Sequence, residues 1–299
     1  MNKNILIAVI VTVLITAILF ILPRTVVENE PAAEAETTLE ANANSGDAAV
    51  SKPVLENREE ISASDEEDHS GHDHEEHRPE LSQATQAEVA KWAEKYKSAQ
   101  KAEKIAIFAD SLASLWANTG WYDSAAVWAE KAVEAESNVE RLYKAGDYWY
   151  QAAGTMHDET VLVKRYQKRA AGYLEQVIAK NPKHSGARIR LAMTKVEGAN
   201  PMEGITMLRQ VLEEEPNNTE ALFNMGMLSW QSQQFDKAVT RFKKLVSLEP
   251  DHLNGQFYLA LSYIQLGENV KAKTHLQQVK RLNSNPEIQA AIEEYLNKL

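Results

Sequence analysis

Apolar and small residues recur at intervals of 34 between residues 182 and 286. Pro182, Pro216 and Pro250 mark the interval, and in each interval a large apolar residue is followed by a small one. The apolar positions lie three or four residues apart, which is the spacing of one face of an α-helix. The recurring triplets are Leu191, Met225 and Leu259; Ala192, Gly226 and Ala260; Gly204, Ala238 and Ala272; Leu208, Phe242 and Leu276; and Val211, Leu245 and Val279. This pattern predicts helical hairpins that stack on one another.

The helical pattern extends beyond this region on both sides, so we expect one helical domain over residues 85–299. Its units are expected near residues 106–139, 140–184, 185–218, 219–252 and 253–286, with a capping helix over residues 286–299. The second unit is irregular, because its 45 residues exceed the period of 34 by 11. The capping helix would cover the apolar end that a stack of repeats leaves open.

The period and the large-small-large order resemble the tetratricopeptide repeat (TPR), a helix-turn-helix unit. The stretch Gly120-Trp121-Tyr122-Asp123-Ser124-Ala125 also resembles the Gly-x-Tyr-x-x-Ala turn of that repeat. The resemblance implies an all-α solenoid of about five repeats. It also implies a role in binding other proteins, because such repeats bind partners far more often than they catalyse reactions.

The same resemblance implies a concave groove lined mainly by positions 2, 5, 9, 12 and 13 of each first helix. Positions 5, 9 and 12 of the three regular units are all apolar: Ile189, Met193, Val196, Phe223, Met227, Trp230, Phe257, Leu261 and Ile264. An apolar groove suits a partner helix or extended segment with hydrophobic anchors. Two alternatives are that these residues form the core, or that the leading or final helix of the domain fills the groove. Some proteins with this repeat bind the C-terminal carboxylate of a partner through lysines in the groove. Those lysines are missing from the corresponding positions here, so we do not expect this chain to bind a C-terminal carboxylate in that way.

The N-terminal residues 5–22 form a run of 18 residues in which only Thr12 and Thr16 are not strongly apolar, and Pro23 ends it. As a helix the run would be about 27 Å long, close to the thickness of the hydrocarbon core of a bilayer. This predicts an uncleaved transmembrane anchor, with a cleaved signal peptide as the alternative. Lys3 favours a cytoplasmic stub at residues 1–4. We therefore expect a single-pass protein of a bacterial inner membrane with a periplasmic C-terminal domain.

Charge is distributed unevenly between the two parts that follow the apolar run. Residues 28–81 carry 17 acidic and 3 basic side chains, a balance of −14, and contain no aromatic residue. Such a composition predicts a disordered acidic tether, which we place at residues 23–84. The remaining residues 82–299 carry 26 acidic and 27 basic side chains. This near-neutral balance gives no basic bulk for nucleic acid.

Four histidines lie within nine residues of the tether, at His69, His72, His74 and His77. The first interpretation is a solvated acidic tract. The alternative is weak binding of Zn²⁺, Cu²⁺ or Ni²⁺, because these ions accept imidazole ligands. The sequence His74-Glu75 does not continue into a zincin motif, since the second histidine is replaced by Arg78.

Catalytic chemistry has little support in the sequence. There is no cysteine, which excludes disulfides, thiolate nucleophiles and thiolate metal ligands. No glycine-rich phosphate loop or nucleophile elbow can be placed. We therefore expect a membrane-anchored, non-enzymatic scaffold without a cofactor, active in export, envelope assembly or cytochrome maturation. The alternatives are a metal-collecting or metal-sensing protein and a self-assembling structural protein.

Overall fold

The computed structural model describes residues 81–156 and 161–299, and this part of the chain contains twelve helices and no strand. The helices are α1 (Gln83–Ser98), α2 (Ala102–Asn118), α3 (Tyr122–Ala135), α4 (Val139–Gly154), α5 (Val161–Lys180), α6 (Ser185–Glu197), α7 (Pro201–Glu214), α8 (Thr219–Gln231), α9 (Phe235–Leu248), α10 (Leu253–Gln265), α11 (Asn269–Leu282) and α12 (Pro286–Lys298). The predicted all-α class is confirmed. The predicted anchor at residues 5–22, the acidic segment that follows it up to residue 80, and its histidines lie outside the described residues.

The helices pair in chain order, as the repeat pattern predicts. The five pairs are α2 with α3, α4 with α5, α6 with α7, α8 with α9, and α10 with α11, and each pair packs against its neighbours in sequence. The extra length of the irregular unit lies partly in α5, which has 20 residues where α7, α9 and α11 have 14. The final helix α12 packs against α11 and closes the stack.

Small residues let the two helices of a hairpin approach closely. A Cβ added at Gly204 in α7 would lie 2.2 Å from the backbone oxygen of Ala192 in α6. A Cβ at Gly226 would lie 2.6 Å from the ring of Phe242. Three side chains at equivalent positions of the regular hairpins are fully buried: Leu208, Phe242 and Leu276. The large-small-large pattern is therefore the core of the stack.

The first helices α4, α6, α8 and α10, and the final helix α12, each begin after a capping side chain at the N-cap position. In each case a side-chain nitrogen or oxygen accepts a hydrogen bond from the backbone N–H of one of the first three residues of the helix. The capping residues are Asn138, His184, Asn218, His252 and Asn285. Side chains that accept at this position satisfy backbone donors that the helix itself cannot pair. His184 and His252 therefore begin helices.

No helix within residues 81–156 and 161–299 combines the length and the apolar character needed to cross a lipid bilayer.

Candidate functional site

The nine residues predicted to line a groove divide into two groups. Ile189, Met193 and Val196 on α6 are only 0%, 8% and 8% exposed, and they lie in the core of their unit. The ring of Tyr150 on α4 packs against the buried cluster that contains Ile189 and Met193. These three side chains therefore have little surface to offer a partner in this arrangement.

The other six predicted residues are half-buried and belong to two neighbouring helices. They are Phe223, Met227 and Trp230 on α8, and Phe257, Leu261 and Ile264 on α10. We call these six side chains the apolar patch. α8 and α10 contact each other directly, so the two rows of side chains lie side by side. All six pack against the buried cluster that contains Phe242 and Tyr258.

Tyr258 on α10 supports the apolar patch from below. Its ring lies edge-on to Trp230 at 5.7 Å and to Phe257 at 5.6 Å, measured between ring centroids. Aromatic rings in these orientations stabilise each other beyond the area they bury. Burial raises the pKa of the Tyr258 hydroxyl, so the residue is neutral at physiological pH. Tyr258 thus forms a buried aromatic layer beneath the patch.

The indole N–H of Trp230 is buried and has no acceptor in the described part of the chain. A buried donor without an acceptor costs free energy. The ring of Phe223 lies beside the imidazole of His252, the residue that caps α10, with 5.3 Å between the ring centroids. The patch therefore holds one unsatisfied polar atom among its apolar side chains.

Leu299 packs against a buried cluster that the apolar patch also contacts. Leu299 is partly buried against the cluster around Tyr258 and also against the cluster around Leu276. Phe257 and Ile264 are in contact with both of these clusters. The end of the chain therefore packs beside the α10 row, whereas the α8 row packs against only one of the two clusters.

The first helices of the middle units are joined by an arginine. The Arg190 guanidinium on α6 pairs with Asp147 on α4 at 2.6 Å and with Glu220 on α8. The same group lies over the ring of Tyr150, 5.3 Å from its centroid. One cation thus links three consecutive units. Sequence reasoning missed this link, because its partners are 43 and 30 residues away.

Glu197 is the second feature that sequence reasoning missed. It is the last residue of α6 and follows Val196, so it occupies groove position 13, which the register could have identified. Burial raises the pKa of its carboxyl group to about 7, although a hydrogen bond from Gln167 lowers it in part. Burial is the main cause of the raised pKa of the Tyr150 hydroxyl, and the negative charge of Glu197 raises it further. Water solvates a carboxyl group poorly in this environment, which disfavours its charged form.

Candidate metal ligands are not grouped in the described part of the chain. Within it, no set of three or more histidine, aspartate or glutamate side chains is arranged to hold an ion. His184 and His252 are the helix caps described above, and His275 contacts Gln256 through its Nδ1 atom at 2.7 Å. The four predicted metal ligands His69, His72, His74 and His77 lie outside the described residues.

The comparison with protein families agrees with the repeat period. Residues 168–222 and 229–295 match the family model described as tetratricopeptide repeat. The fold is a TPR-type α-solenoid. The matched ranges cover the regular units apart from residues 223–228, together with the part of α5 that begins at residue 168.

Solved structures of MamA are similar to the chain at low identity. MamA from Desulfovibrio magneticus RS-1 is 17% identical over 59% of this chain and 94% of its own, with a TM-score of 0.45. A MamA structure from MSR-1 is 23% identical over 59% and 95% of the two chains, with a TM-score of 0.41. Scores below 0.5 do not bear on function. No curated protein matches the sequence.

Proposed function

We propose that this protein is a membrane-anchored scaffold that binds apolar segments of partner proteins on its TPR solenoid. The observation that carries the proposal is the apolar patch on α8 and α10. Six large apolar side chains remain half-buried on adjacent helices of the most regular units. Methionine adapts to irregular partners, and tryptophan and phenylalanine provide large anchoring surfaces.

The arrangement of the patch favours a helix or an extended segment as the partner. Its side chains form two parallel rows on neighbouring helices, so a segment laid along them would meet apolar groups at regular intervals. Binding would bury these groups further, which is the main source of affinity for apolar surfaces.

The N-terminal part of the chain would restrict this binding to the membrane surface. Residues 5–22 have the length and apolar character of an anchor, and the following acidic segment would act as a tether. As a flexible coil, the 54 acidic-rich residues 28–81 would have a root-mean-square reach of about 40 Å. Tethering raises the effective concentration of the solenoid near membrane-bound or newly exported partners. Export, envelope assembly and cytochrome maturation in a bacterial inner membrane are the processes that this arrangement suits.

The experiment that tests the proposal is photo-crosslinking in cells. A photo-reactive amino acid replaces Trp230 in the patch, and a control replaces Gln277, which is exposed on the second helix of the last unit. We expect a discrete partner to be captured from position 230 and not from position 277. The double change Phe223→Asp and Met227→Asp should abolish the capture in a variant whose circular dichroism shows that it is folded.

Capture of this protein's own peptides alone would contradict the proposal. It would mean that the patch is covered from within or by a second copy, in agreement with the self-assembling alternative.

Metal binding by the four histidines of the tether is a second proposal, based on their density in the sequence alone. We expect Zn²⁺ affinity on the order of micromolar or weaker, because the ligands lie on a chain that must be ordered by the ion. Isothermal titration of the full chain against the variant with all four histidines changed to Ser measures it. Equal signals from both proteins would exclude these residues as ligands.

A further inference from the structure

An open cavity of about 570 Å³ lies between α9 and the beginning of α11. α9 lines it with side chains between residues 239 and 247, α11 lines it with Lys271, and Tyr263 of α10 also contributes. Its volume is within the range of small-molecule binding sites. None of the six residues of the apolar patch lines the cavity, so it is a separate feature of the last two regular units.

The lining of this cavity is positively charged. It contains three lysines, Lys243, Lys244 and Lys271, and one carboxylate, Glu268. That carboxylate pairs with Lys271. The ammonium groups of Lys243 and Lys244 have no ion pair in the described part of the chain. Three cations and one anion leave two positive charges in the cavity that no carboxylate of its lining neutralises.

A tyrosine hydroxyl adds an unused hydrogen-bond donor to the lining. Tyr263 is only 5% exposed, and its ring stacks on His275 with 5.7 Å between the centroids and lies 5.3 Å from the Lys271 ammonium. Its hydroxyl makes no hydrogen bond to residues 81–156 or 161–299. The other two hydroxyls of the lining, on Thr240 and Ser247, donate to backbone oxygens of α9. The Tyr263 hydroxyl is therefore the one that is free to donate to a ligand.

The ligand that suits this lining is an anion with two charges and several acceptor oxygens. Lysine binds phosphate as a point charge with three donors. A phosphate monoester carries a charge of about −1.5 to −2 near neutral pH and has three acceptor oxygens. It would therefore balance the two excess cations, whereas a single carboxylate would leave one of them unpaired.

We propose that the cavity binds a phosphate monoester. Lys243, Lys244 and Lys271 pair with its oxygens, and the Tyr263 hydroxyl donates a hydrogen bond to it. The site does not depend on the apolar patch or on a partner protein. A free organic phosphate and the headgroup of phosphatidic acid present the same monoester, so both are possible sources of the ligand.

The test is isothermal titration of the full chain with inorganic phosphate near neutral pH, in a maltoside detergent that contains no phosphate. We expect saturable binding with a Kd of about 1 mM or tighter. Binding should weaken as salt is added, because the lysines are open to solvent. The double variant Lys243→Gln and Lys244→Gln should lose at least about tenfold in affinity, since both unpaired cations are removed.

The matched control is the double variant Lys164→Gln and Lys168→Gln. It removes two exposed lysines of α5 that have no ion pair among the described residues, and it should bind phosphate as the wild type does. Tyr263→Phe keeps the ring and removes the hydroxyl, so it should weaken binding about two- to tenfold. Circular dichroism confirms that each variant is folded.

Two further probes distinguish the sources of the monoester. Glycerol phosphate represents a free organic phosphate, and dihexanoyl phosphatidic acid carries the same group on a short lipid. Tighter binding of the lipid would support a headgroup as the ligand, and equal binding would support a free phosphate.

Three results would overturn the proposal. The first is the absence of a saturable signal from the wild type up to about 10 mM phosphate. The second is equal affinity of the wild type and the Lys243 and Lys244 double variant. The third is an equal loss in the Lys164 and Lys168 control, because it would show that only the overall charge of the protein matters. Unchanged affinity in Tyr263→Phe would overturn the role of the hydroxyl.

Discussion

At the scale of single residues, the close approach of the helices in a hairpin depends on side chains that are missing or very small. Gly204 is the clearest case, because its Cα faces the backbone of α6. Gly172 on α5 is a helical glycine with the opposite environment, since a Cβ added there would meet no atom within 4 Å. Substituting alanine at each of these two glycines therefore distinguishes the effect of close packing from the effect of helix propensity.

Gly204→Ala should destabilise the protein by about 1–3 kcal/mol or more, because the added methyl group has to push α6 and α7 apart. Gly172→Ala should stabilise it by about 0.5–1 kcal/mol, because alanine is the better helix former. Urea unfolding followed by circular dichroism measures both. If Gly204→Ala left the free energy of unfolding unchanged, the two helices would be less tightly packed at this point than the structure shows.

Glu197 predicts a pH-dependent stability whose sign follows from its raised pKa. Its pKa is about 7 in the folded protein against 4.5 for the free side chain, so the folded state binds the proton more tightly. The favourable effect of this proton is complete below about pH 4.5, and stability is lost as the pH rises through 7. Glu197→Gln carries no charge at any pH and should avoid the loss.

We expect the unfolding free energy of Glu197→Gln to equal that of the wild type near pH 4.5 and to exceed it by about 1–3 kcal/mol at pH 8. Urea unfolding at the two pH values gives the difference. An equal difference at both values would mean that Glu197 acts through its shape and not through its charge.

At the scale of the helices, the beginnings of the first helices are marked by one capping position. His184 and His252 occupy the position that asparagine occupies in three other places. In His252 the Nδ1 atom accepts a hydrogen bond of 2.9 Å from the N–H of Gly255. Histidine and asparagine thus both act as acceptors at the N-cap position.

His252→Ala should cost about 1 kcal/mol, because the N–H groups at the start of α10 lose their side-chain acceptor. His252→Asn should keep most of the stability, since Asn218 performs the same task in the preceding unit. Thermal melts of the three proteins compare them. Equal losses in both variants would point to the ring contact with Phe223 as the important interaction.

Successive units are also joined by the Arg190 link between α4, α6 and α8. Arg190→Ala would leave Asp147 and Glu220 without their shared cation in a partly buried place. We expect a loss of about 2–4 kcal/mol, because breaking a buried pair leaves an uncompensated charge. Arg281→Ala, an exposed arginine on α11 without an ion pair in the described chain, should change stability by less than about 0.5 kcal/mol.

Chemical denaturation with intrinsic tryptophan fluorescence measures the two arginine variants side by side. Equal effects would mean that the Arg190 link contributes no more than a surface charge.

At the scale of the whole molecule, the proposed function needs the solenoid to be held at a membrane. Deletion of residues 5–22 should release the protein into the soluble fraction after osmotic lysis, because these 18 residues form the apolar run. Deletion of residues 34–51, a stretch of equal length in the acidic segment, should leave it in the membrane after alkaline washing. Release of the wild type by alkali would contradict an anchor.

The sequence alone determined the class and the period of this protein. Leu208, Phe242 and Leu276 recur every 34 residues and are buried in three successive hairpins, since the same helix pair is built each time. Local rules decide such features, because the spacing of apolar residues sets a helix face and the turn residues set its ends.

Only the tertiary structure decided which groove positions remain accessible. Ile189 and Phe223 share one register position, but the first is fully buried and the second is half-buried. The irregular unit contributes to this difference, because its Tyr150 packs against the cluster that contains Ile189. The pairing of Arg190 and the burial of Glu197 have the same origin. They depend on which helices lie beside α6, and this is a property of the folded stack that a repeat period does not contain.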